Sequence, residues 1–166
     1  MNAVSPESRQ DERREVDRWL GNYAEDHRNP TNIVIHWICV PLILWTVIAV
    51  LWVIPVPVWL GRSGLWAGVA MFLAFAWYMR LSRILAFAML GVFVVFGLIT
   101  EGLYRTIGSS GLLWLAIGVF AAAWVAQFVG HNIEGKRPSF LTDLAYLLVG
   151  PVWLAAKVLR RLGVSY

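Results

Sequence analysis

Five long apolar blocks constrain this chain more than any other feature. The first covers residues 33–54 without a single Asp, Glu, Lys or Arg. As a helix it rises about 33 Å, enough to cross a hydrocarbon core about 30 Å thick. The others cover residues 64 to about 78, 84 to about 100, 112–130 and 140–158, the last interrupted by Asp143 and by Gly150-Pro151. Within lipid a backbone has no outside hydrogen-bond partner, so a spanning segment is a helix or part of a closed barrel. The blocks lack the in–out alternation of barrel strands. The chain is 59% hydrophobic and 14% charged, against about 45–50% and about 25% in soluble domains. Its apolar excess must face lipid. The fold class is all-α: a polytopic membrane helical bundle of four transmembrane helices plus a C-terminal re-entrant or interfacial helical segment.

Residues 1–20 form a polar N-terminal segment whose charged end, residues 11–20, suits a surface helix with i,i+4 ion pairs. Residues 21–163 form a single integral membrane domain, opened by a polar loop over 21–32. The first 32 residues have no apolar run behind a basic start, so they are no cleavable signal peptide. The single cysteine, Cys39, excludes an internal disulfide and reads as a small packing residue.

Charge sets the orientation. With the N-terminus in the cytoplasm, Arg9, Arg13, Arg14, Arg18, Arg28, Arg80, Arg83, Lys136 and Arg137 lie inside, and the outside connections carry only Arg62 and Arg105. Lys157, Arg160 and Arg161 stay inside only if the fifth block does not span, which the Asp143 and Gly150-Pro151 breaks favour. The net charge of +4 thus marks helix ends at a membrane and not a nucleic-acid partner. Small residues at four-residue spacing, Gly64/Gly68 and Gly118/Ala122/Ala126/Gly130, suit close helix packing or a homo-oligomer face.

This topology puts all three histidines, His27, His36 and His131, at one membrane face. Ionisable groups inside a membrane are rare and usually functional, which singles out His36. Glu134 and Gln127, three after and four before His131, share its helical face. Neutral imidazoles suit Fe, Zn, Cu or Ni, and a carboxylate added to histidines suits non-haem Fe(II) with positions open for oxygen and substrate. Glu101 falls at the opposite face, outside the site, and Asp143 reads as a helix cap. No His-Glu-x-x-His, Cys-x-x-Cys or Gly-x-Ser-x-Gly pattern is present.

Two stretches carry a resemblance. They are Tyr23-Ala-Glu-Asp-His27-Arg-Asn-Pro30-Thr-Asn32-Ile-Val-Ile-His36-Trp-Ile-Cys-Val-Pro41 and Gln127-Phe-Val-Gly130-His131-Asn-Ile-Glu134-Gly-Lys-Arg-Pro138-Ser. Together they resemble the Mpo1-like membrane protein family. The resemblance implies an Fe(II)-dependent dioxygenase of 2-hydroxy fatty acids, which shortens its substrate by one carbon using O2. His27, His36 and His131 would be the catalytic metal ligands, with Glu134 as a further ligand. Asn32, Gln127, Lys136 and Arg137 are assigned to the substrate, whose acyl tail lies between the helices or in lipid. The protein is expected in the inner membrane of a bacterium or the endoplasmic reticulum of a eukaryote. The alternatives are a non-enzymatic transport or assembly protein and a metal-dependent lipid hydrolase using the same ligands with a bound water.

Overall fold

The computed structural model describes residues 15–25, 27–135 and 146–166. Among these the chain is all-helical, with no strand: α1 (Glu15–Glu25), α2 (Pro30–Val53), α3 (Leu65–Leu81), α4 (Arg83–Glu134) and α5 (Val149–Arg161).

Local chemistry sets the boundaries. Asn29 caps α2 by accepting the Thr31 N–H at 2.9 Å, and Pro30 occupies the first helical position, where its missing N–H costs nothing. Pro41 is accommodated inside α2, which ends just before the two prolines at 55 and 57. A single extended residue, Ser82, separates α3 from α4 and accepts the Leu85 N–H. Gly135, with φ 75°, closes α4 as a left-handed C-cap.

α4 contains 52 residues, which would make a straight rod of about 78 Å. It is not straight. Gly108 has φ 72° and ψ 177°, a conformation almost closed to residues with a Cβ, and the chain reverses there. Residues 83–107 run parallel to α2: Met89 and Val92 line a groove with Pro41 and Leu44, and Trp45 Nε1–H donates to Thr100 Oγ1 at 3.1 Å. Residues 109–134 run antiparallel to α2. Leu112 and Ala116 pack with Ala49, Ala123 with Cys39 and Ile43, and Glu134 accepts from Asn32. α3 descends beside them, from Gly64 against Trp52 to Tyr78, whose hydroxyl donates to Leu148 O at 2.7 Å. The result is an up-down-up-down arrangement of four rods with α2 at its centre.

The connection expected over residues 101–111 is therefore one residue long. Glu101 stays helical and pairs with Arg105 at 2.7 Å, far from the histidines. The expected polar loop over 21–32 is also shorter. α1 continues to Glu25, because Val16, Leu20 and Tyr23 make a buried stripe at helical spacing that docks on α5 beside Val152 and Trp153. Of the small-residue stripe only the end at Gly130 is buried; Gly118 and Ala122 face outward.

Two helices, Pro30–Val53 and Arg83–Glu134, are long and apolar enough to cross a membrane. The outer faces of the rods carry large apolar side chains, with Leu98, Trp114 and Phe72 each about two-thirds or more exposed. Water-soluble monomers rarely expose apolar surface on this scale. α5, 13 residues long, rises only about 20 Å and packs against α1, the first half of α2 and α4.

Candidate metal centre

Each histidine reaches this end of the bundle from a different element. His27 sits in the loop between α1 and α2, His36 lies two turns into α2, and His131 belongs to the last turn of α4. All three are buried, at 5%, 2% and 7% exposure. One nitrogen from each ring can be chosen so that all lie within 4.8 Å of one another.

The orientation of two rings is fixed from behind. His27 Nδ1 lies 2.7 Å from Tyr23 O, and His36 Nδ1 lies 2.9 Å from Asn32 O. A carbonyl only accepts, so each Nδ1 carries the hydrogen and each neutral ring presents a bare lone pair at Nε2. Those two Nε2 atoms face each other at 3.0 Å. Two lone pairs at that separation repel unless a proton or a cation lies between them. Imidazole ligands about 2.1 Å from one ion and at right angles to each other sit about 3.0 Å apart. A backbone carbonyl behind the ring is also the usual support of a metal-ligating histidine. The donor set therefore fits a divalent transition metal.

Tyr23 stacks on His27 with ring centroids 4.2 Å apart, and Trp153 closes over the same imidazole at 5.8 Å. His131 meets His27 and His36 edge-on at 5.6 and 5.2 Å. Neither Tyr23 nor Trp153 is marked as a site residue by a motif in the sequence. The signal was there in the Val16/Leu20/Tyr23 spacing, which marks an apolar face on a segment read as polar.

Glu134 is placed differently from the expectation that it joins the imidazoles. Oε1 accepts from the Arg28 and Asn29 N–H groups at 2.8 and 3.0 Å, and Oε2 accepts from Asn29 N at 2.9 Å and Asn32 Nδ2 at 3.0 Å. The carboxylate thus clamps the start of α2, where the helix dipole favours negative charge, to the end of α4. It holds together the segments that carry the histidines. Asn32 is likewise behind the site: its carbonyl orients His36, its amide donates to Glu134, and it does not line the adjoining cavity. Gly130 lies directly against Asn32, so closely that a Cβ there would run into Asn32 Oδ1.

Gln127 does line that cavity, beside His36 and His131. The space is small, with a volume of about 80 Å³, and apart from these three and two tyrosines its walls are mostly apolar, among them Val40, Ile43, Val47, Phe120 and Trp124. Lys136, Arg137 and Asp143 lie outside the described residues.

A family model described as 2-hydroxy-palmitic acid dioxygenase Mpo1-like matches residues 13–162. The chain belongs to the Mpo1-like family. A relative named 2-hydroxy-palmitic acid dioxygenase MPO1, from Saccharomyces cerevisiae, is 28% identical to this Mpo1-like chain over 146 residues, covering 87% of this chain and 79% of the relative. No solved structure matches it. The matched region contains both histidine-bearing stretches and every described helix.

Proposed function

We propose that this Mpo1-like protein is an Fe(II)-dependent dioxygenase that shortens 2-hydroxy fatty acids by one carbon at the cytoplasmic face of a membrane. The observation that carries the reading is the pair of Nε2 lone pairs held 3.0 Å apart by backbone carbonyls, with a third buried imidazole beside them. Family membership and the name of the yeast relative supply the reaction class. His27, His36 and His131 would hold the ion. Three protein ligands leave positions free, and Fe(II) bound there would supply the redox chemistry that lets O2 react with an organic acid.

The chain's own groups do the rest. Tyr23 and Trp153 cover His27 and keep water from the back of the site. Gln127 offers amide hydrogens to a carboxylate or hydroxyl entering beside His131. Glu134 and Asn32 fix the distance between the two histidine-bearing helices. The four rods, with their exposed apolar faces, would be the transmembrane helices. α5 is too short to cross and would lie in the interface, keeping Lys157, Arg160 and Arg161 on the side of the histidines. That is the cytoplasmic side by the distribution of basic residues, and it is where an amphipathic acid presents its head group.

The test uses purified protein in detergent. Elemental analysis should find stoichiometric iron in the wild type and little in His131→Ala. The wild type should convert 2-hydroxypalmitate to the acid one carbon shorter only with O2 present. Cleavage of an ester-linked lipid without O2, with 2-hydroxypalmitate left intact, would favour the hydrolase. Protein that takes up no metal and is inert after reconstitution with iron removes both enzymatic readings.

A further inference from the structure

The cavity beside the histidines adjoins a second apolar space. Val47 and Phe120 line it at the end remote from His36 and His131, and the same two residues line a second apolar groove that continues along α2 and the descending half of α4 past Val50, Leu51, Ala116 and Ile117. The second space has a volume of about 300 Å³. Placed end to end, the two spaces outline a trough with imidazoles and an amide at one end and hydrocarbon along the rest. The character of the wall changes on the way. Near the histidines it includes the buried Ile43, whereas Phe120, Ile117 and Val50 are about 40% exposed to the surroundings of the bundle.

The two walls run antiparallel and keep the same ruler. Val47 lies eleven residues beyond His36 and Phe120 eleven residues before His131, so both stand about 16 Å from the histidines. An extended chain advances about 1.2 Å per bond, a third of the reach of one extended residue. A 2-hydroxy acid of sixteen carbons has fourteen bonds from its hydroxyl carbon to its methyl end, which makes about 17 Å. Leu51 and Ile117 lie about 5 Å further, room for about four more carbons.

We infer that this trough holds the acyl chain of the substrate and that Val47 with Phe120 sets chain-length preference. Acids of up to about sixteen carbons lie wholly in the walled part. Longer ones must pass Phe120 onto the open part, where their end gains less because it moves from lipid to a surface still shared with lipid. This rests on the 2-hydroxy acid reading of the site, and the first measurement below is independent of turnover.

Two 2-hydroxy acids, of sixteen and twenty carbons, each with a photoreactive diazirine at the methyl end, are irradiated with the full-length protein in vesicles and the labelled residues mapped. The shorter probe should mark Val47 and Phe120 and the longer one Leu51 and Ile117, both suppressed by excess unlabelled 2-hydroxypalmitate. Labels from both probes on the same residues, or on the outer face of α3, overturn the inference. In the second arm, wild type and Phe120→Trp are given mixtures of acids of twelve to twenty carbons. The larger ring should shift the ratio of kcat/KM values about tenfold toward the shorter acids, the discrimination available from one or two methylenes, with bound iron unchanged. An unchanged profile also overturns it. Correct labelling without turnover would remove the proposed reaction and leave the trough standing; turnover with labels elsewhere would do the reverse.

Discussion

Replacing Glu134 separates the metal-ligand role expected from the sequence from the clamp that its hydrogen bonds make. Its carboxylate accepts four hydrogen bonds from three donors, the backbone N–H groups of Arg28 and Asn29 and the amide of Asn32. Hydrogen bonds to a charged acceptor are each worth about 1.5–3 kcal/mol. Water can take over at exposed Arg28, but the fully buried Asn32 amide is left without a partner, so Glu134→Ala should cost about 3 kcal/mol of stability in all. The loop holding His27 and the helix end holding His131 would then drift apart, and metal affinity should fall about 10- to 100-fold, as when other supports of a ligand are removed. Glu134→Gln should recover about half of each loss. One oxygen still accepts from Arg28 and Asn29, and Asn32 can turn its amide so that Oδ1, which has no hydrogen-bond partner, meets the new amide hydrogens. The assay is thermal unfolding in detergent together with titration by Co(II), whose absorption bands report the atoms touching the ion. The clamp predicts weaker binding with the same band shape. An alanine variant with unchanged midpoint and affinity would refute the clamp, and one whose bands change shape would put the carboxylate on the metal.

Gly130→Ala places a methyl group against Asn32 Oδ1. Overpacking of about 1–3 kcal/mol outweighs a helix-propensity gain of about 1 kcal/mol, so the variant should lose about 1 kcal/mol net in thermal unfolding and about tenfold in Co(II) affinity. Gly108→Ala forces a Cβ into a backbone conformation close to glycine-only and should lower stability by about 2 kcal/mol. Because Gly108 is at the far end of the bundle, its Co(II) affinity should match the wild type; a matching loss in both would mean that the two ends are coupled.

The first apolar block, residues 33–54, forecasts α2 to within three residues, and the block from 64 to 78 forecasts α3 equally closely. Rods of this kind are legible because a long apolar run has one outcome. Which face turns inward is not legible: α2 and α4 are apolar all round, so no polar stripe distinguishes neighbour from lipid. The space between them, and the place of Phe120 beside it, are therefore not legible in the sequence. The single-residue reversal at Gly108 was hidden because Glu101 and Arg105 look like loop residues, whereas in the structure they pair one turn apart on a helix. The histidines, being only three, could be followed individually to one end of the bundle. The partners of Glu134 could not, since two of its three donors are backbone groups that leave no mark in a sequence.

Two of the imidazoles belong to the opening quarter of the chain, whereas His131 arrives only after the chain has turned back at Gly108. While the chain is still being synthesised, a ribosome that has made α2 alone has produced two imidazoles and no third. The site is complete only when the final rod has slid into place beside the first. On the proposed function, loading with metal would then report that the bundle has finished assembling, and a truncated copy would lack the full set of imidazoles.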